Sequence, residues 1–92
     1  MPFVYILRCR DNSFYVGHTD NLTTRERAHN DGTAAQYTAS RRPVKLVYSE
    51  AFDSLDSAVR REKQLKRWSS QKKHALVTGD IVGLRQLSKR RN

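Results

Sequence analysis

The sequence predicts a small α+β domain, a three-stranded antiparallel sheet flanked by helices in the order β-β-α-β-α-α. Three observations point there. Two β-rich runs, Phe3 to Cys9 and Phe14 to Gly17, flank a polar turn in the manner of a hairpin. A third such run, Val44 to Ser49, stands alone between helical patterns. Beyond Ser54 the apolar residues recur at the three- and four-residue spacing of one helix face.

Each element has a local cause. Phe3 to Cys9 is apolar and β-rich, so it reads as a buried strand. Arg10-Asp11-Asn12-Ser13 supplies turn chemistry, and Phe14-Tyr15-Val16-Gly17 returns beside the first strand. Thr19-Asp20-Asn21 offers capping oxygens for a helix from about Leu22 to Asn30. Gly32 is its natural stop, because glycine accepts the left-handed conformation. Thr33 to Arg42 reads as a polar loop, punctuated by Pro43. Strand alternation over Val44 to Ser49 puts Val44, Leu46 and Tyr48 on one face and Lys45 and Val47 on the other.

Ser54 or Asp53 can cap a longer helix, about Leu55 to Trp68. Its stripe is Leu55, Ala58, Val59, Glu62, Leu65 and Trp68. Ser69-Ser70 breaks the pattern before a short helix, about Gln71 to Val77. Gly79 ends that helix, and Ile81 to Leu87 forms a last short one.

The 92 residues suffice for a single domain, residues 1–92, with one modest core. No stretch approaches the roughly 20 apolar residues of a membrane helix. The first residues lack a basic segment and a small-residue cleavage site, so no signal peptide is expected. Cys9 is the sole cysteine, which excludes an internal disulfide and fits a reducing, cytoplasmic setting.

Charge narrows the function. Eighteen Lys and Arg against nine Asp and Glu give +9, an excess that attracts polyanions. A basic surface serving only solubility is the plainer alternative. The excess is uneven. Arg60, Arg61, Lys63, Lys66, Arg67, Lys72 and Lys73 fall in one segment with a single acid, Glu62. Lys89-Arg90-Arg91 forms a second cluster.

Two helices carry polar residues where packing alone would not put them. Leu22, Arg25 and His29 share a face of the first helix. Glu62 interrupts the apolar stripe of the longer one, and a buried carboxylate needs a cation beside it. A metal ion would serve, and so would Arg61 or Lys66 with Glu62 at the stripe's edge. Arg25 can equally be a surface arginine beside Glu26, and His29 a structural histidine. Tyr5 and Tyr15 lie in β-rich runs where tyrosine is common. Cys9 reads as a small core residue, and His18 and His74 have no ligand-like spacing. No glycine-rich phosphate loop, Cys/His zinc pattern or Ser-His-Asp arrangement is present.

Taken in order, these residues resemble the GIY-YIG nuclease superfamily, and in particular its small one-domain bacterial members. Phe3-Val4-Tyr5 is similar to the first half-motif and Tyr15-Val16-Gly17 to the second, with the tyrosines ten residues apart. Gly17-x-Thr19 and Arg25-x-x-x-His29 follow. After them come Gly32-x-x-Ala35-x-Tyr37-Thr38, Arg41-Arg42-Pro43-Val44-x-Leu46-Val47-Tyr48 and Arg61-Glu62-Lys63-Gln64-Leu65-Lys66. The likeness covers about residues 2 to 88. Phe3 departs from it by standing at the name-giving glycine, and Asp80 falls near a supporting asparagine of many relatives.

The resemblance implies a phosphodiester endonuclease using one divalent ion, Mg²⁺ or Mn²⁺. It implies Tyr5, Tyr15, Arg25, His29 and Glu62 as catalytic residues, with Glu62 holding the metal and Gly17 as the motif glycine. The segment from Arg60 to Lys73 would grip nucleic acid, DNA rather than RNA, in repair or processing. No membrane is involved, and a partner protein could supply specificity. Two other readings remain: a nucleic-acid-binding module that keeps the fold without cutting, and an interaction domain of a larger complex.

Overall fold

The computed structural model describes residues 1–89, so Arg90 and Arg91 and the side chain of Lys89 lie outside the description of the second basic cluster. The chain runs β1 (Phe3–Arg8), β2 (Phe14–Thr19), α1 (Leu22–Asn30), α2 (Gln36–Ala39), β3 (Lys45–Ala51), α3 (Leu55–Lys66), α4 (Ser70–Thr78) and α5 (Ile81–Lys89). Both strand pairs are antiparallel, in the order β2-β1-β3. The α+β class and the three-stranded sheet are as the sequence predicts. The short helix α2 is an addition to the predicted order.

β1 is central, so both of its faces are covered. Val4 and Ile6 join Val16, Ala58 and Leu65 in a core beneath α3, with Trp68 and Leu76 packed against it. Tyr5, Leu7 and Cys9 join Val44 in a second, smaller core with Tyr15, Leu22 and Leu46. Alternation along one strand therefore builds two cores, one on each side of the sheet. Each fully buried Val, Leu or Ile side chain contributes about 1.5–3 kcal/mol, so β1 is the element the fold can least lose.

β2 lies at the sheet edge, which has a consequence for function. Its residues alternate between the two faces, with Tyr15 packing into the Tyr5 core and Phe14 and Val16 into the α3 core. Side chains from both faces can meet around its open side.

The caps follow the predicted chemistry. The Asn21 side chain accepts from Thr24 N at the start of α1, and the Ser54 side chain from Ser57 N at the start of α3. Ser69 does the same for α4, which explains the break in pattern there. Gly32 and Gly79 have positive φ after α1 and α4, as their places at helix ends require.

Four expectations need correction. The face assigned to β3 changes midway, because a register shift lies between the pairs Ile6–Tyr48 and Leu7–Leu46. Val47 is the extra residue, so Leu46 packs with the Tyr5 core while Tyr48 packs with the α3 core. α3 ends at Lys66 with Arg67 as its cap, and Trp68 lies beyond it. Leu55 is 56% exposed, since the first turn of α3 has not yet reached the sheet. The supposed loop from Thr33 to Arg42 contains α2, whose Thr38 is fully buried.

Candidate active site

Tyr5, Tyr15 and His29 meet on the α1 side of the sheet. The Tyr5 and Tyr15 ring centroids are 6.4 Å apart, and Tyr15 and His29 are 4.9 Å apart. Tyr5 Oη lies 2.8 Å from His29 Nε2, and His29 Nδ1 lies 2.8 Å from Thr38 Oγ1. The Thr38 hydroxyl donates to Ala35 O, which leaves its lone pairs for the Nδ1–H of His29. That assigns the tautomer: Nδ1 carries the proton, and Nε2 accepts from the Tyr5 hydroxyl. Burial lowers the His29 pKa and nearby Arg25 lowers it further, so the imidazole stays neutral.

Burial likewise drives the Tyr5 phenol well above the usual tyrosine range, and Tyr15 adds to the effect. Arg25 pulls it down and Glu62 pushes it up, so both residues act on this hydroxyl. Tyr5 is thus a neutral phenol whose proton already points at a base. Gly17 pairs with Tyr5 across the hairpin, and a Cβ added there would sit 2.5 Å from Tyr5 Oη. The motif glycine is therefore required by the approach of the tyrosine.

Arg25 is exposed on α1 one turn before His29, and among the described residues it forms no ion pair. Glu62 stands on α3. Its side chain is only 13% exposed, with Oε1 2.5 Å from His18 Nδ1 and Oε2 2.8 Å from Lys66 Nζ. Burial raises the Glu62 pKa, but the hydrogen bonds from Lys66 and His18 outweigh it and hold the carboxyl below its usual range. Lys66 is raised in turn, chiefly by its bond to Glu62. A largely buried carboxylate held in its ionised form is an oxygen donor that a divalent ion could use in place of one of these partners. Among the described residues no three His, Cys, Asp or Glu side chains form a ligand cluster. Water and substrate oxygens would then fill most of the coordination shell.

The basic segment divides in two. Lys66 and Lys73 line a cleft of about 330 Å³ with Phe14, Tyr15, Val16 and Tyr37. Arg60 and Lys63 lie on another face of α3 and line a shallow groove with Leu55, Asp56 and Val59, and Arg67 follows as the helix cap. Arg61 grips Glu50 through two 3.0 Å bonds and lies over Trp68, with Lys72 on the same ring 4.2 Å from its centroid. Arg61 and Lys72 thus carry structural contacts.

Sequence reasoning missed His18 and Thr38. His18 follows the motif glycine, so alternation turns it away from Tyr15 and toward α3, where it meets Glu62 Oε1. Thr38 stood within the family-like stretch Gly32-x-x-Ala35-x-Tyr37-Thr38, with nothing in the sequence to give it a role. Asp80 caps α5, accepting from Gly83 N at 2.9 Å.

Comparison with known proteins supports the fold and identifies the family. The profile of the GIY-YIG catalytic domain matches residues 1–75, so α5 and Asp80 fall beyond it. The UPF0213 protein SH2523 of Staphylococcus haemolyticus is 48% identical over 75 residues, 82% of this chain and 92% of that one. The UPF0213 protein YazA of Bacillus subtilis is 40% identical over 82% of this chain and 76% of its own. Among solved structures, the solution structure of the UPF0213 protein BH0048 of Bacillus halodurans aligns with a TM-score of 0.54 at 42% identity, covering 85% and 84% of the two chains. That of EF2693 of E. faecalis aligns with a TM-score of 0.58 at 34% identity, covering 87% and 85%. With a profile match over residues 1–75 and relatives up to 48% identical over most of both chains, the chain belongs to the GIY-YIG family of nucleases.

Proposed function

We propose that this protein is a metal-dependent endonuclease that hydrolyses phosphodiester bonds in nucleic acid, DNA in preference to RNA, in repair or processing. The observation that carries the reading is the directed chain from Tyr5 through His29 to Thr38, placed within electrostatic reach of Glu62. A buried phenol takes a hydrogen-bond partner in any fold; here the partner is a neutral imidazole with an accepting nitrogen, which can also receive a proton.

The residue types divide the work. Glu62 would hold one Mg²⁺ or Mn²⁺, and the ion would supply Lewis-acid stabilisation of charge at the phosphate. Arg25, exposed and without an acid partner among the described residues, would contact the phosphate through its planar guanidinium. Tyr5 takes a proton from the attacking water while passing its own to His29 Nε2, so the phenol never becomes a free phenolate. Thr38 keeps the ring oriented through that transfer. Tyr15 closes the aromatic side of the site and borders the cleft where Lys66 and Lys73 would meet the backbone beside the cut. Arg60, Lys63 and Arg67 would add a weaker, salt-dependent attraction from a neighbouring face.

The test is cleavage of branched, nicked and single-stranded DNA and of RNA with Mg²⁺ or Mn²⁺, beside Glu62→Ala. Loss of a metal contact worth several kcal/mol should slow cleavage by about 10³-fold. Binding without cleavage in every metal would make the protein a binding module. Undiminished cleavage by the variant would refute the role of Glu62.

A further inference from the structure

A second hollow adjoins the cleft at Tyr15. It measures about 510 Å³ and is lined by Arg8, Asn12, Phe14, Ser70, Gln71 and His74. Strand pairing builds one wall: Arg8 and Phe14 stand opposite each other across the hairpin, on the face of the sheet that α3 covers. The start of α4 builds the other, with Ser70 and His74 one turn apart on the helix. Phe14 is only partly buried against the core, and it also lines the cleft that holds Tyr15, Lys66 and Lys73. The two hollows therefore meet at one aromatic ring.

The polar groups of this hollow are not spent on the fold. Asn12 and His74 enter its bonding through their backbones alone, Asn12 N donating to Cys9 O and His74 O accepting from Thr78. Among the described residues the side chains of Arg8, Asn12, Gln71 and His74 have no hydrogen-bond partner, and no carboxylate lines either hollow. A phosphate alone would be served by Lys66 and Lys73 and has no use for Phe14. A base inside a duplex keeps its faces stacked on its neighbours. An unpaired base offers a free face to an aromatic ring and free edges to the Asn12 and Gln71 amides and the His74 imidazole.

We propose that this hollow is a nucleobase subsite, taking one unpaired base of the strand whose backbone lies in the adjoining cleft. The assignment rests on the reading of the Lys66 and Lys73 cleft as the place of that backbone. Arg8 stands beside the base to meet its flanking phosphate. Phe14 supplies stacking, which every base accepts, and the amides and imidazole supply whatever preference exists among bases. Nucleic acid with an unpaired nucleotide beside the cut then gains a contact that a continuous duplex cannot make.

The test is equilibrium binding of the full chain by fluorescence anisotropy in EDTA, so that no strand is cut. Three probes are compared: a strand of about ten thymidines, an abasic strand of the same length and charge, and a duplex. Phe14→Leu should weaken the thymidine strand about tenfold and the other two less than about twofold, since only the first can stack in the hollow. Gln71 is exposed on α4, so Gln71→Ala leaves the core alone; it should show the same selectivity with a loss of about two- to fivefold. Thermal melts of both variants identify any loss that comes from misfolding. Equal weakening of all three probes by folded Phe14→Leu, or no weakening of the thymidine strand, overturns the subsite. Lys73→Ala should weaken every probe alike and flatten the salt dependence. No effect of Lys73→Ala on any probe overturns the cleft reading beneath the proposal, which is a different failure.

Discussion

The two faces of edge strand β2 carry opposite kinds of chemistry. On the face toward α1, Tyr5, His29 and Thr38 are buried and complete one another's hydrogen bonds. On the face toward α3, His18 and Lys66 are partly open and each holds one oxygen of Glu62. The first half is fixed by the fold before anything binds. The second is held by contacts that a cation or a phosphate can replace. A site of this kind separates proton handling, which needs a preset geometry, from charge handling, which needs accessible ions.

The contrast can be broken most severely at Gly17. A Cβ there meets the Tyr5 hydroxyl and ring, which are confined by the core and by His29. Gly17→Ala should cost about 1–3 kcal/mol in denaturant melts, the usual range for overpacking. It should also turn Tyr5 off His29 and reduce cleavage at least about tenfold, while Mn²⁺ binding at Glu62 persists. Unaltered stability together with unaltered cleavage would mean that the buried half tolerates motion and is not preset.

A smaller effect sharpens the same contrast through pH. The folded-state pKa of His29 is depressed, by burial first and Arg25 second. The unfolded chain therefore binds more protons than the folded one as pH falls below about 6.5, the ordinary histidine value. Stability is full above that pH and declines as pH drops toward the folded pKa. The melting temperature should fall between pH 7.5 and 5.5, with most of the slope removed in His29→Gln. Glu50 and Asp11 are also depressed, but as carboxylates they act at lower pH and leave this window to the histidine. A flat melting temperature across the window would show that His29 can be charged in place.

Much of the fold was legible because it rests on local patterns. Alternation in β1, the cap at Asn21 and the apolar spacing from Ala58 to Leu65 each state their structure within a few residues. The bulge at Val47 was not, since an unbroken alternation of Val44, Leu46 and Tyr48 reads as well from sequence and only pairing with β1 shows the extra residue. Helix α2 is four residues long, too short to display a helical period, and its reason for existing is the bond from Thr38 to a histidine nine residues earlier.

The site was legible in its parts and not in its pairings. Glu62 was conspicuous because it broke an apolar stripe. Its nearest partner, His18, is 44 residues away and has no motif of its own. Arg61 and Lys66 flank the same glutamate in sequence, yet one bonds Glu50 and the other Glu62. Charge counting cannot separate them, because the difference lies in which face of α3 each occupies.

The central claim is that the Tyr5 proton moves to His29 during hydrolysis. Single-turnover cleavage by Tyr5→Phe, with saturating metal and nucleic acid, tests it most directly. The variant should bind both ligands as the wild type does and cleave about 10²–10⁴-fold more slowly, the usual share of positioned proton transfer. Cleavage at the wild-type rate would contradict the account.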